Sequence, residues 1–271
     1  MSSLSLLAKR AVFRLSPELA WRLAAWWSSD AAFELRLARA LADPNRIGID
    51  IGGSWGLFAA ALGRRVGQLH IVEPNPEKVE FLRATFGTRH VIHAMALSDM
   101  AGEVALHIPD ASSALATIEA RNPANTARGR NVMVRRDRLD ALNLAPVGFI
   151  KMDVEGHEAA ALAGAEELLR RDHPTLLVEM EERHRPGGVR VTIGWLEERG
   201  YRAFMLDAGQ LRDAAEFEPE FDQPAFGPKD PRPTHYINDF LFIPRVDEGA
   251  QMARLAALGI SPLVAASSRL R

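Results

Sequence analysis

Residues Arg46 to Asn75 read RIGIDIGGSWGLFAAALGRRVGQLHIVEPN, and this stretch decides the fold. Ile47, Ile49 and Ile51 are β-branched and stop at Gly52-Gly53-Ser54-Trp55-Gly56, where a strand must turn sharply and let backbone approach a ligand. Leu57 to Leu62 carry a helical apolar run, and Leu69 to Val72 make a second short strand ending on Glu73. In a βαβ nucleotide fold a carboxylate at that strand end, about 20 residues past the first glycine turn, accepts hydrogen bonds from both ribose hydroxyls.

Working outward, 271 residues suffice for one large α/β domain with elaborations. A net charge of −2 provides no field for a polyanion, so nucleic acid is not expected as a partner. The chain has no cysteine, which excludes disulfides, thiolate metal sites and a cysteine nucleophile. No apolar run reaches the about 18 residues that span a bilayer, and no signal-like apolar core opens the chain, so the reading is a soluble, cytoplasmic protein.

Residues 1–45 are rich in Ala, Leu and Arg and predict two or three helices, with Ser16-Pro17-Glu18 as a helix start. Trp21, Trp26 and Trp27 beside Lys9, Arg10, Arg14 and Arg22 allow peripheral membrane contact; packing on the sheet or on a second copy, as a homo-oligomer, is the plainer role. After the opening stretch come a helix at Glu77 to Phe86 and a strand at His90 to Ala96. The alternating Val104, Leu106 and Ile108 predict a strand that extends the sheet or forms a flap. Pro109 to Arg130 lacks a period and predicts a mobile loop near the site. Further strands are expected at Gly148 to Val154, Thr175 to Val178, Tyr201 to Leu206 and Asp239 to Ile243, with helices running to Arg171 and over Val191 to Arg199. Residues 208–238 read as an aperiodic lid or binding loop, and residues 246–271 as a helical tail.

Strands alternating with helices predict a doubly wound, largely parallel sheet, whose ligands sit beyond the strand C-termini. Gly52 to Gly56, Glu73, Asp99, Asp153 to Glu158, and Glu179 to His184 all follow strand ends. The series IDIGGSWGLFA, IVEPNP, ALSD, Leu139-Asp140, IKMDVEGHE with Gly164-Ala165, and LLVEM resembles the FkbM-type methyltransferases, a class I S-adenosylmethionine-dependent family, over residues 46–243. The resemblance implies a Rossmann-like α/β fold with a seven-stranded sheet whose last strand is antiparallel, over residues 46–245, with S-adenosylmethionine as cofactor. It also implies that Asp50 reaches the methionine amino group and that Gly52, Gly53 and Gly56 let the backbone pass close to the cofactor. Glu73 would hold the ribose diol, Leu97 flank adenine and Asp99 accept its amine. The chain departs from the family's usual turn, with Gly53-Ser54 in place of Ala-Asn.

A dinucleotide oxidoreductase is the first competitor, but its G-x-G-x-x-G differs from the spacing here, and Asp50 suits a cationic amino acid better than a pyrophosphate. A non-catalytic scaffold working through its N-terminal helices is the second. Transfer to a hydroxyl, on a sugar, glycan or natural-product acceptor, requires a group that takes the proton. Asp153, Glu155, Glu179 and His184 are the candidates. Carboxylates grouped with a His can also hold a divalent ion, though no metal ligand set is assigned. Glu158 reads as a first-turn acid, Lys151 as an ion-pair partner of one of these acids, and His157 as a solvated helix-start residue. Arg183, Arg185 and Arg190, with Arg135, Arg136 and Arg138, suit either a phosphorylated acceptor or a solvated surface.

Overall fold

The computed structural model describes residues 29–120, 122–226 and 233–262, with Ser16, Leu19, Arg22 and Leu23 placed singly before them. Most of the N-terminal segment offered above as a membrane contact, including all three tryptophans, lies outside the described residues. Ser16 Oγ does accept from Leu19 N at 3.2 Å, the contact expected of a helix cap.

Eight strands form the main sheet. β1 (Ile47–Ile51), β2 (Gln68–Val72), β3 (Val91–His93), β7 (Val147–Met152) and β8 (Thr175–Glu179) run parallel, and β11 (Asp239–Pro244) lies antiparallel to β8. β9 (Tyr201–Asp207) and β10 (Gln210–Asp213) complete the order β10-β9-β11-β8-β7-β1-β2-β3. The α/β Rossmann-like class is as expected, with one strand more than the seven foreseen. The addition is β10, folded back on β9 through Ala208 and Gly209, both at positive φ. Leu211 is its single apolar residue, too little to mark a strand in sequence.

Burial follows the two faces of each strand. Ile49 and Ile51 of β1 and Ile150 and Met152 of β7 face α4 (Glu158–Ala163), α5 (Glu166–Asp172) and α6 (Gly188–Glu197). Phe149, Leu177 and Leu241 face the opposite way, into a core completed by α1 (Ser29–Leu41), α2 (Leu57–Leu62), α3 (Pro76–Phe86) and α8 (Glu248–Ala256). Phe33, Leu37 and Leu41 of α1 are buried there with Leu255 of α8, so this N-terminal helix packs on the sheet. α3 starts where Asn75 Oδ1 accepts from Glu77 N at 3.1 Å, with Pro76 at its first position.

A second sheet, β4-β6-β5, stands over the strand ends, built from Ala96–Leu97, Gly129–Asp137 and Gly102–Pro109. Of the two roles foreseen for Val104 to Ile108, it takes the flap. The single strand expected over His90 to Ala96 is split: Met95 N turns back onto His93 O at 3.0 Å, and Ala96 joins the second sheet. The expected loop after Pro109 is structured by two 3-10 turns, Ser113–Leu115 and Pro123–Thr126, capped by Ser112 and Asn122, while Thr117 pairs with His107. The 208–238 insert likewise contains β10, a 3-10 turn at Ala214–Glu216 and α7 (Pro219–Asp222); its residues 227–232 are outside the described set.

Candidate active site

At the ends of β1, β2 and β7, where strand order reverses, lies a cleft. Its wall includes Gly52, Ser54, Glu73, Leu97, Asp153 and Glu155 among the residues singled out from sequence. Gly53, Gly56, Asp50 and Asp99 are not in that wall.

The glycine turn works differently from the expectation. Gly52 has φ +78, and a Cβ there would stand 1.8 Å from the carbonyl oxygen of Asp153, so glycine lets the ends of β1 and β7 meet. At Gly53 an added Cβ would meet Ile71 Cγ2 at 2.3 Å, and at Gly56 it would meet the Phe86 ring at 2.4 Å. These two glycines allow the turn to pack on β2 and α3, and neither lines the cleft.

Ser54 sits in the left-handed region at φ 46 and donates its N–H to Glu73 Oε2 at 2.8 Å. Glu73 Oε1 accepts from Asn75 N, also at 2.8 Å. Each carboxylate oxygen keeps a second lone pair for a ligand hydroxyl. Burial raises Glu73, opposed by Lys78 and by the two backbone donors.

Asp50 lies one residue off the cleft-facing set of β1, in register with Lys151 of β7. Its Oδ2 is buried without a hydrogen-bond partner, behind the turn and 3.7 Å from the Cβ position of Gly53. Burial pushes Asp50 up to about 7, with Lys151 opposing and Asp153 and Glu73 adding to the rise. Lys151 Nζ is 3.8 Å from Asp239 Oδ1. Burial works against its charge, but Asp239, Asp153, Glu179 and Glu34 outweigh that and hold Lys151 above its usual value.

Ile118 and His157 are among the cleft residues given no site role in sequence. Ile118, from the expected loop, closes one wall. His157, read as solvated, has a largely buried side chain: Nε2 is 3.0 Å from Ser98 Oγ, and Nδ1 is 3.3 Å from Glu119 Oε2. Its partners come from segments 59 and 38 residues away, which no local pattern reveals. Asp99, expected at the adenine, is exposed and accepts from Ser98 Oγ at 3.0 Å. Leu97 is buried in the cleft wall.

Glu155 and His184 come together. Glu155 Oε2 and His184 Nε2 are 3.5 Å apart, both buried and both without a hydrogen bond. Burial, then the neighbouring Asp153, raises Glu155 to about 8. Burial, then Arg183, lowers His184 to about 4. Both shifts favour the uncharged forms, a carboxylic acid facing a neutral imidazole. Glu158 accepts from Gly156 N at 2.9 Å, the local role read for it.

Glu179 lies apart from the cleft, in the wall of a second cavity with Glu34 and Asp239, and accepts from Asn238 Nδ2. Four of the six arginines are occupied by the chain itself. Arg183 forks onto Glu181, with Nη2 to Oε1 at 2.9 Å, and Arg190 donates to Phe217 O. Arg135 pairs with Asp137, and Arg138 with Asp140 at 3.0 Å. Among the described residues no group of three His, Asp or Glu side chains is arranged to hold a metal ion, and no helix is long and apolar enough to cross a membrane.

The sequence matches the Methyltransferase FkbM domain over residues 44–203. No curated protein matches it. Among solved structures, the chain is similar to the methyltransferase FkbM from Methylobacillus flagellatus KT at 13% identity and a TM-score of 0.48, covering 87% of this chain and 58% of that one. It thus spans less than two thirds of that relative. An rRNA methylase from Streptococcus thermophilus aligns at 11% identity over 78% of this chain and 94% of that one, with a TM-score of 0.45. An O-methyltransferase from Bacillus cereus, solved in complex with SAH, aligns at 15% identity over 79% and 80%, with a TM-score of 0.43.

Proposed function

The chain belongs to the FkbM methyltransferase domain family, and we propose that it transfers a methyl group from S-adenosylmethionine to a hydroxyl of a sugar or natural-product acceptor. The pairing of Glu73 with Glu155 across one cleft carries this reading: the first is built to accept from a diol, the second to accept a proton.

The residues present fit the cofactor. Glu73 is fixed by two backbone N–H groups, with lone pairs left for ribose hydroxyls. Asp50, expected at the ammonium group, lies behind the turn and outside the cleft wall, so it would act on that group only through the turn. Leu97, Met95 and Ile118 supply an apolar slot for a flat base, with His157 at its edge. When bound, S-adenosylmethionine supplies a methyl group already activated by its sulfonium leaving group.

Little remains for the protein beyond alignment and proton removal. Once ionised, the Glu155 carboxylate takes the acceptor's hydroxyl proton, with the imidazole of His184 3.5 Å away. A carboxyl raised to about 8 is a stronger base than an ordinary glutamate once ionised, and the sulfonium of a bound donor would favour the ionised form. Asp153, at the junction of β1 and β7, adds negative charge that keeps Glu155 basic. Calorimetric titration with S-adenosylmethionine tests the donor: one molecule bound per chain supports the reading, and no binding by folded protein removes it.

A further inference from the structure

Glu155 holds a backbone conformation that L-residues avoid, φ +52, and within its own strand-to-helix turn only the hydrogen bond from Gly156 N to Glu158 Oε1, at 2.9 Å, holds the peptide that follows. The explanation comes from a distant segment. Thr117 Oγ1 donates to the carbonyl oxygen of Glu155 at 2.8 Å, and Asn122 Nδ2 donates to the same oxygen at 2.6 Å. Both side chains are 1% exposed.

Each is itself held. Thr117 Oγ1 accepts from Glu119 N at 3.0 Å, and Asn122 Oδ1 accepts from Ala124 N at 2.8 Å. The next residue closes the arrangement: a Cβ at Gly156 would stand 2.9 Å from His184 Cβ and 3.5 Å from Asn122 Nδ2. The clamped peptide, the His184 side chain and the Asn122 amide are thus packed into one unit.

We propose that Thr117 and Asn122 are positioning residues: by gripping the Glu155 carbonyl from both donors they hold the left-handed turn that keeps the Glu155 carboxyl against His184 and in the cleft wall. This rests on the reading of Glu155 as the base. Without the two donors the peptide between Glu155 and Gly156 keeps only the Gly156 N–H to Glu158 Oε1 hydrogen bond, Glu155 relaxes to an ordinary conformation, and its carboxyl swings away from His184 towards water. The same segment contributes Ala114, Ala116 and Ile118 to the cleft. One element therefore forms part of the cofactor wall and sets the aim of the base. That links occupancy of the cleft to the geometry of proton removal.

The experiment follows the Glu155 carboxyl by NMR in full-length protein carrying ¹³C-carboxyl glutamate, the signal being assigned by its loss in Glu155→Gln. The groups facing it are His184, Asp153, Glu158, Glu181 and Arg183, all retained in the variants. In the wild type it is expected to titrate above an ordinary glutamate, near 8. In Thr117→Val, which keeps the shape of the side chain, and in Asn122→Ala, it should fall by more than about one unit as the carboxyl reaches solvent. Thr117→Ser, which keeps the hydroxyl, should restore the wild-type titration. A Glu155 titration unchanged in both Thr117→Val and Asn122→Ala overturns the proposal, as does a Thr117→Ser variant that behaves like Thr117→Val. Binding of S-adenosylhomocysteine, measured on the same samples, separates the two levels: its failure in the wild type removes the methyl-donor reading, while the carboxyl titration still decides whether the clamp exists.

Discussion

Replacing Glu73 with Gln tests the seat of the cofactor with little change of shape. Glu73 Oε2 and Oε1 each accept a backbone N–H, from Ser54 and Asn75, at 2.8 Å. A glutamine has one oxygen, so one of these donors would face an amide NH₂ and lose its acceptor. A hydrogen bond to a charged group contributes about 1.5–3 kcal/mol, so the folded state should lose about that much. The same substitution removes one of the two carboxylate oxygens offered to a ribose diol. A loss of about 1.5–3 kcal/mol in binding corresponds to roughly 10- to 150-fold weaker affinity. Urea denaturation measures the first quantity and calorimetry with S-adenosylhomocysteine the second. If stability falls but the ligand binds as tightly as to the wild type, Glu73 is only a staple between the turn and α3, and the argument that places the ribose there fails.

Three further outcomes follow from the geometry. Gly53→Ala forces a Cβ to within 2.3 Å of Ile71 Cγ2, an overpacking that should cost about 1–3 kcal/mol in denaturation; a stability equal to wild type would show that the turn does not pack on β2 as described. Glu155 has its folded-state value raised from 4.5 to about 8, so the native state holds this proton more tightly, and its contribution to stability declines as pH rises from 4.5 to 8. His184, lowered from 6.5 to about 4, acts in the opposite sense between 4 and 6.5, leaving 6.5 to 8 as the window in which Glu155 acts without it. Glu155→Gln should therefore gain on the order of 1–2 kcal/mol relative to wild type between pH 6.5 and 8, and parallel stability curves for the two proteins would count against the raised value. His157→Ala should weaken S-adenosylhomocysteine binding by roughly tenfold, through the lost packing of its ring at the cleft edge; unchanged affinity would return His157 to a structural role.

The parallel strands were legible because each is a short, continuous apolar run buried on both faces. Ile47 to Ile51 and Gly148 to Met152 need no context to be read so. What could not be read depends on contacts between distant segments. Leu211 alone does not announce β10, yet β9 offers it an open edge. Gly53 and Gly56 look alike in sequence to ligand-facing glycines, and only the positions of Ile71 and Phe86 show that they accommodate packing. In the candidate site, the strand-end rule brought Gly52, Glu73, Asp153 and Glu155 to one cleft, but it also collected Glu179, which lines a neighbouring cavity with Glu34 of α1 and Asp239 of β11. Asp99 follows a strand end as well and is exposed, while Ser98 beside it is buried against His157. Thr117 and Asn122 lie in a stretch without periodicity, and their contact with the Glu155 carbonyl shows only in the fold.

The most direct test of the account is to supply deuterated-methyl S-adenosylmethionine to a cell extract with wild-type protein or with Glu155→Gln and to follow the label by mass spectrometry. The account predicts label in an ether-linked methyl group of a small hydroxylated molecule or glycan, reduced by roughly 10²–10⁴-fold in the variant. Label appearing in RNA or protein, or equal transfer by the two proteins, would contradict it.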